Sequence, residues 1–321
     1  MAGSTFGSIF KVTTWGESHG KGVGVVVDGC PAGLALDEQT IQKYLNRRKP
    51  GQTRYSTPRK EEDLVEIQSG IFEGKTTGTP ISLVVYNKTQ RSKDYSEIAG
   101  YYRPGQAYTR SIGGIDIDET KASMDNIMKS PLYMPDLDAS EKAELLLEQK
   151  MKEQDSAGGV IECVVRGMPA GIGEPVFEKL DANLAKAVMS IGAVKGVEIG
   201  DGFAVASAFG SDNNDSFVAA ENGSIAKKTN HAGGILGGMS DGSDIILRAA
   251  VKPTPSIARK QQTVNRDGED IEISIKGRHD PVIVPRAVVV VEAMSALCVL
   301  DMVLLGMTSR LDKIQEFWKR Q

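Results

Sequence analysis

The decapeptide GRHDPVIVPR, residues 277–286, sets Arg278, His279 and Asp280 side by side and leads through Pro281 and Pro285 into a long apolar run. A guanidinium is a rigid fork of donors, an imidazole exchanges a proton near neutral pH, and a carboxylate accepts hydrogen bonds. Such a triplet ahead of a buried segment suits either the floor of a site on a rigid support or a capped turn with a surface ion pair. A second polar turn, TTWGESHG at 13–20, carries Glu17, Ser18 and His19 among glycines. An imidazole there can approach a ligand uncrowded and act as a general acid, or simply belong to a turn. Ser18 and His19 are adjacent and lack a third member, so they do not form a nucleophilic triad.

Between them the chain turns basic: Arg47, Arg48, Lys49, Arg54, Arg59 and Lys60 are interrupted by Pro50, Gly51 and Pro58. Several guanidinium forks at different angles suit a small molecule with phosphate and carboxylates, whereas a nucleic acid calls for a broader basic and aromatic face. Tyr55 is the sole aromatic in that loop, which favours the compact anion. The stretch NHAGGILGGMSDG, 230–242, offers His231, Ser240 and paired glycines. It can cradle an anion through backbone N–H groups or mark tight bends, and it has neither a Walker nor a dinucleotide-binding order. KPTPSI, 252–257, places Lys252 on a stretch held extended by two prolines.

These groups need a scaffold. Gly22 to Val27 is valine-rich and suits an inner strand, as do 81–86, 158–165, 245–251 and 271–275. Asp37 caps a helix to about Asn46, and Asp138 with Glu141 reads as a capping box for a helix to about Glu153. Residues 122–130 read as weakly helical. Pro175 suits a first helical position, with Phe177, Leu180, Leu184, Ala187 and Val188 as the buried stripe. The loop SDNNDS, 211–216, reads as a solvated connection. Cys30-Pro31-Ala32-Gly33 and Gly167-Met168-Pro169-Ala170-Gly171 each follow a valine-bearing strand and precede a helix, which suggests two similar β-to-α units. A final helical stretch runs from Pro285 toward Trp318. Its apolar part, 287–307, contains Glu292, Ser295 and Asp301, so a buried helix is expected and not a membrane span.

The 321 residues suffice for one large core or two intimate lobes, and a formal net charge of −4 argues against coating nucleic acid through overall charge, though not against a local basic site. Cys30, Cys163 and Cys298 are too far apart for a zinc motif and have no disulfide framework, as expected of reduced thiols in the cytoplasm. Residues 1–8 have no basic and apolar signal pattern. No metal site is expected.

Taken in order, WGESHG, CPAG, RRKPGQ…STPRKEED, SGIFEGKTTGTPI, DSAGG, NHAGGILGG, KPTPSI and GRHDP…VPRAV…VEAM closely resemble the chorismate synthase family over most of the chain. The resemblance implies an α+β fold, an internally pseudo-symmetric β-α-β sandwich forming one domain over 1–321, assembled as a cytoplasmic homotetramer. It implies a 1,4-anti elimination of phosphate from 5-enolpyruvylshikimate 3-phosphate to give chorismate. Reduced FMN (FMNH2) is required without net redox change, and it lends electron density as phosphate leaves and then takes up the C6 hydrogen. On this resemblance His19 protonates the departing phosphate, and Arg47 or Arg48 together with Arg54 binds substrate anions. Asp280 lies by the flavin and relays the proton, with Arg278 and His279 completing the pocket. Asn230, His231, Ala232, Gly233 and Gly234, with Lys252, Thr254, Pro255, Ser256 and Ile257, contact FMN. No nucleotide-reductase domain is evident, so an external reductant supplies the reduced flavin rather than NADPH oxidation by this chain.

One departure stands out. After Tyr102-Arg103-Pro104-Gly105 the family continues into a segment with a second catalytic histidine and further substrate arginines, whereas here Gln106-Ala107-Tyr108 follows directly. The otherwise intact set of motifs favours a segment skipped at 105–106 over one lost from the enzyme.

Overall fold

The computed structural model describes residues 4–16, 21–48, 63–86, 105–219, 225–275, 280–309 and 311–319. The first unit runs β1 (Thr5–Phe6), β2 (Lys11–Gly16), β3 (Gly22–Asp28), α1 (Glu38–Arg48), β4 (Val65–Ile67), a short hairpin of β5 (Ile71–Phe72) and β6 (Lys75–Thr76), then β7 (Ile81–Tyr86). Its sheet is ordered β1-β2-β3-β7-β4, with antiparallel neighbours. Asp37 caps α1, its Oδ1 accepting the Thr40 N–H at 2.7 Å.

The second unit begins with β8 (Gly105–Ile112), β9 (Ile115–Asp116) and α2 (Leu137–Lys152), followed by β10 (Gly159–Val165), α3 (Leu180–Met189) and β11 (Val194–Ile199). After the short α4 (Gly210–Asn213) come three hairpins' worth of strands around one long strand. These are β12 (Phe217–Ala219) with β13 (Ile225–Lys227), β14 (Ile235–Leu236) with β15 (Met239–Ser240), β16 (Ile245–Val251), and β17 (Gln261–Val264) with β18 (Asp270–Ile273). Helices α5 (Val284–Gly306) and α6 (Leu311–Lys319) close the chain.

The second large sheet is ordered β9-β8-β10-β16-β11, in which β10-β16-β11 repeats the succession β3-β7-β4, while the edge strand β9 follows its neighbour in the chain where β1 precedes its own. The turns agree as well. Gly33 and Gly171 both have φ of +91°, a region that favours glycine. Each donates its N–H to a strand carbonyl, Gly33 to Thr76 O at 2.8 Å and Gly171 to Ser240 O at 2.7 Å. The hydroxyls of those same two residues donate back across the turn, Thr76 to Pro31 O at 2.6 Å and Ser240 to Pro169 O at 2.5 Å.

Helix α5 packs on β8 and β10, on α3, and on α1, which itself lies on β4, so helices stand between the two sheets. The core gathers around it: Ile112, Ile161, Leu184, Leu247, Val284 and Val291 are fully buried. By length and composition α5 would pass for a membrane span. Its two carboxylates explain its place instead. Asp301 accepts the N–H groups of Ser8, Ile9 and Phe10 at 2.8, 2.7 and 3.0 Å, and Glu292 pairs with Arg47, so both tie the helix to the first unit.

Several expectations shift. Asp136, not Asp138, caps α2, accepting from Asp138 and Ala139 N–H, because Asp138 is drawn to Lys121 at 2.8 Å. Helix α3 starts at Leu180 rather than Pro175, and Phe177 is 90% exposed instead of joining the buried stripe. Between 122 and 130 only a single 3-10 turn forms, Met124–Asn126.

Candidate active site

Three motifs meet where β8 and β16 finish and β10 begins. Gly159 on β10 lies between Val251 and Ile112 in register, and a Cβ there would stand 2.1 Å from Ser111 O, which is why the DSAGG motif ends in glycine. Ala157 donates its N–H to Pro281 O at 2.8 Å and bridges Val282, so Asp280 is delivered beside that turn. Ser156 Oγ donates to Thr254 O at 2.8 Å and draws in the KPTPSI stretch, while Lys252 N–H is fixed on Ala193 O at 2.9 Å. Asp280 has a nearly buried side chain, and Arg286, on the first turn of α5, donates to its Oδ2 at 2.5 Å.

Thr254 Oγ1 and Arg286 Nε at this end are buried without a partner among the described residues, as are Arg47 Nε, Thr109 Oγ1 and Ser295 Oγ elsewhere. A buried donor or acceptor left unmade costs about 1–3 kcal/mol, so at a sheet end where several motifs gather a ligand that completes one is favoured. Lys252, on the same stretch as Thr254, is exposed.

Arg47 stands deeper. Its Nη1 and Nη2 donate to the two oxygens of Glu292 at 2.9 and 3.0 Å, and Glu292 also accepts the Ala107 N–H at 3.3 Å. Burial alone would lower the Arg47 pKa, but the paired Glu292 outweighs it and raises the pKa. The expected role for Arg47 as a substrate ligand does not fit this geometry, because its fork is committed inside the protein. Arg48, the last residue of α1, is exposed. His19, Arg54, Arg278 and His279 lie outside the described residues.

The glycine-rich loop lies elsewhere, at the start of β16 and the end of β11. Gly233 O accepts from Ile246 N–H, and His231 O from Asp201 N–H. The N–H groups of residues 231–234 are not open to an anion from outside. His231 N–H donates to Asp215 Oδ1 at 2.7 Å and Ala232 N–H to Asp215 Oδ2 at 3.0 Å. Gly233 N–H goes to Asn230 O and Gly234 N–H to Asn230 Oδ1. The anion this loop cradles is therefore the protein's own carboxylate. Asp215 also accepts the Thr229 hydroxyl at 2.8 Å and faces the buried Lys227 at 3.6 Å, and Lys227 pairs with Asp241 at 2.5 Å. Burial would raise the Asp215 pKa, but the N–H groups, the hydroxyl and Lys227 together hold it below its ordinary value. The expectation of a solvated SDNNDS connection thus fails at Asp215, whose side chain is 4% exposed.

What the loop presents outward is the His231 ring. Its Nδ1 lies 2.6 Å from Asp201 Oδ2, which orients the ring over a cavity of 440 Å³ walled by Ile199, Val205, Asn213, Asn214 and Leu236. Asp201, Asp215 and Glu292 escaped the sequence reading. The available signals were an acidic residue inside an apolar helix and a second aspartate following paired asparagines. Among the described residues no cluster of His, Cys, Asp and Glu suits a metal.

Comparison with known proteins gives a consistent picture. The family model for chorismate synthase matches residues 10–111 and 106–304. The chain is 58% identical over 367 positions to the chorismate synthase of Lachnoclostridium phytofermentans, covering all of both chains. It is 48% identical to that of Methanosarcina barkeri, covering 94% of this chain and 96% of that one. A crystal structure of chorismate synthase superposes with a TM-score of 0.75 at 27% identity over 98% of each chain. The 367 aligned positions exceed the 321 residues of this chain, and the family match breaks at 106–111, beside the 105–106 junction.

Proposed function

The chain belongs to the chorismate synthase family, a lyase that forms chorismate from 5-enolpyruvylshikimate 3-phosphate, and we propose that it does so at the end of the second sheet where Asp280, Thr254 and Lys252 meet. The observation that carries this placement is the buried, unpartnered Thr254 hydroxyl beside the Asp280–Arg286 pair. The family uses reduced flavin. An orphan hydroxyl, a neighbouring carboxylate and an exposed lysine on a proline-stiffened stretch fit a flat cofactor edged with hydrogen-bonding atoms and ending in a phosphate.

Lys252, Thr254, Pro255, Ser256 and Ile257 would hold FMN, with Arg278 and His279 on the stretch just before Asp280. When bound, the reduced flavin supplies the transient electron density that lets phosphate depart. The side chains do the rest. Arg48 and Arg54 hold the substrate's phosphate and carboxylates in forked contacts, and His19 donates a proton to the departing phosphate oxygen. Asp280 receives the proton that originates at C6, held in place by Arg286 on the rigid start of α5. Arg47, locked to Glu292, fixes the last turn of α1, which carries Arg48.

The working enzyme is a cytoplasmic homotetramer fed with reduced FMN by an external reductant. Anaerobic turnover tests this: chorismate and phosphate appear in equal amounts only with reduced FMN present, and NADPH alone gives none. Turnover without flavin would overturn the assignment.

A further inference from the structure

Resting on the reading that Arg48 holds an anionic group of the substrate, we propose that Glu292 is a positioning residue for substrate binding, acting through Arg47 on the arginine beside it. Glu292 sits inside the apolar α5 and joins three parts of the chain. Its two oxygens accept from both terminal nitrogens of Arg47, the penultimate residue of α1, at 2.9 and 3.0 Å, and one of them also accepts the Ala107 N–H near the start of β8 at 3.3 Å. Glu38 and Gln42 tie the earlier part of α1 to β4, accepting the Ile67 and Val65 N–H groups at 3.2 and 2.9 Å. The last turn is held instead across to α5. Consecutive helical residues project about 100° apart, so a forked grip that stops Arg47 from turning also fixes the direction in which the exposed Arg48 leaves the helix. The same α5 holds Asp280 through Arg286 on its first turn, about 9 Å before Glu292 at about 1.5 Å per residue. One rigid rod therefore sets the spacing between the proton acceptor and the anion-holding arginine.

Stability alone does not account for this pair. Both side chains are buried, and Arg47 Nε has no partner among the described residues. Taking two charges out of water offsets most or all of their mutual attraction, so a well-packed apolar pair in the same place commonly leaves a fold as stable or more so. What the ion pair supplies and an apolar pair does not is direction, because two parallel N–H···O bonds fix the plane of the guanidinium. Attachment of the first unit has its own means on the same helix, where Asp301 accepts the N–H groups of Ser8, Ile9 and Phe10. The two carboxylates of α5 thus divide the work: Asp301 fastens the unit, and Glu292 aims the end of α1.

The test replaces both partners at once in the full chain. In Arg47→Met/Glu292→Leu the melting temperature stays close to that of the parent. Its KM for 5-enolpyruvylshikimate 3-phosphate, measured anaerobically with reduced FMN, rises about tenfold or more, while FMN affinity stays within about twofold. Arg48→Ala gives a similar rise, and combining all three substitutions adds little to it, because both changes remove the same contact. Asp301→Asn, the control on the same helix, lowers the melting temperature and leaves KM at the parental value. A parental KM in the folded Arg47→Met/Glu292→Leu chain overturns the proposal. So does an equal rise of KM in Asp301→Asn, or a full further rise when the pair is replaced on the Arg48→Ala background. Should the paired variant not fold, Arg47→Lys decides, since an ammonium keeps the charge and loses the fork. A raised KM at parental stability in Arg47→Lys supports positioning, and an unchanged KM overturns it. If Arg48→Ala itself leaves KM unchanged, the reading of Arg48 as a substrate ligand is what fails.

Discussion

The loops at the two ends of β16 have opposite characters. At its start, every N–H of residues 231–234 has a partner inside the chain, and Asp215, Lys227 and Asp241 balance one another's charge. At its finish, Thr254 Oγ1 and Arg286 Nε are buried without partners among the described residues. Glycines had marked the first loop as the anion cradle, yet glycine only permits the backbone to curl, and here it curls around an internal carboxylate. The second stretch, with prolines and one threonine, is the end that lacks something. Hydrogen bonds already closed inside the chain mark the first loop as framework, which its composition alone does not reveal.

If that contrast is right, damage at the two ends separates chemistry from stability. The largest effect belongs to Asp280→Asn. Replacing a proton-handling carboxylate by an amide lowers turnover by about a hundredfold or more, while the amide oxygen still accepts from Arg286, so the melting temperature falls far less than the activity. Steady-state kinetics beside calorimetry would show this, and parallel losses in both would place Asp280 in the framework instead. Asp215→Ala has the converse signature. Two buried N–H groups lose their acceptor and Lys227 loses a counter-charge, so unfolding free energy falls by about 2–3 kcal/mol in denaturant titration. Asp215→Asn keeps one acceptor and lies between. Should Asp215→Ala melt like the parent, the loop is not held as its hydrogen bonds indicate.

Much of the architecture was readable beforehand because hydrophobic periodicity and turn chemistry are local. The strands at 22–27, 81–86, 158–165 and 245–251, the Asp37 cap and the burial of α5 all follow from neighbours in sequence. Pairings across long separations were not readable. Arg47 looks like a substrate ligand until Glu292, far along the chain on a helix otherwise apolar, is seen to occupy both of its terminal nitrogens. Asp215 reads as loop polarity until the fold brings the glycine-rich turn onto it. Phe177 shows the reverse error: correct spacing for a helical stripe, but placed before α3 begins, where no face exists to bury it. At the ligand end the ordered motifs supplied the residues, and the structure added the missing partner of Thr254.

Thr254→Val sharpens the contrast on a smaller scale. Valine has nearly the same shape and removes a hydroxyl that has no partner among the described residues, so thermal stability holds or rises slightly. If the hydroxyl meets the flavin, FMN affinity falls by roughly tenfold, the equivalent of about 1.4 kcal/mol. Stability lost with affinity unchanged would mean that Thr254 completes the fold and not the site.

The smallest effect is a pH dependence expected to be absent over most of the range. The Asp215 pKa is depressed in the folded chain, so its contribution is fully present above the unfolded carboxylate value of about 3.9 and is lost only as pH falls through the lower folded value. Amide protection of His231 and Ala232, corrected for intrinsic exchange, should therefore stay level from pH 7 to about 5 and collapse only in acid below about 4. The His231 ring supplies the discriminating control. A loop clamped chiefly by the Asp201–His231 contact would lose this protection in His231→Ala at pH 7, with Asp215 untouched. Such a loss would move the anchor of the glycine-rich loop from Asp215 to the ring, and with it the account of why that end of the strand is closed by the chain's own groups.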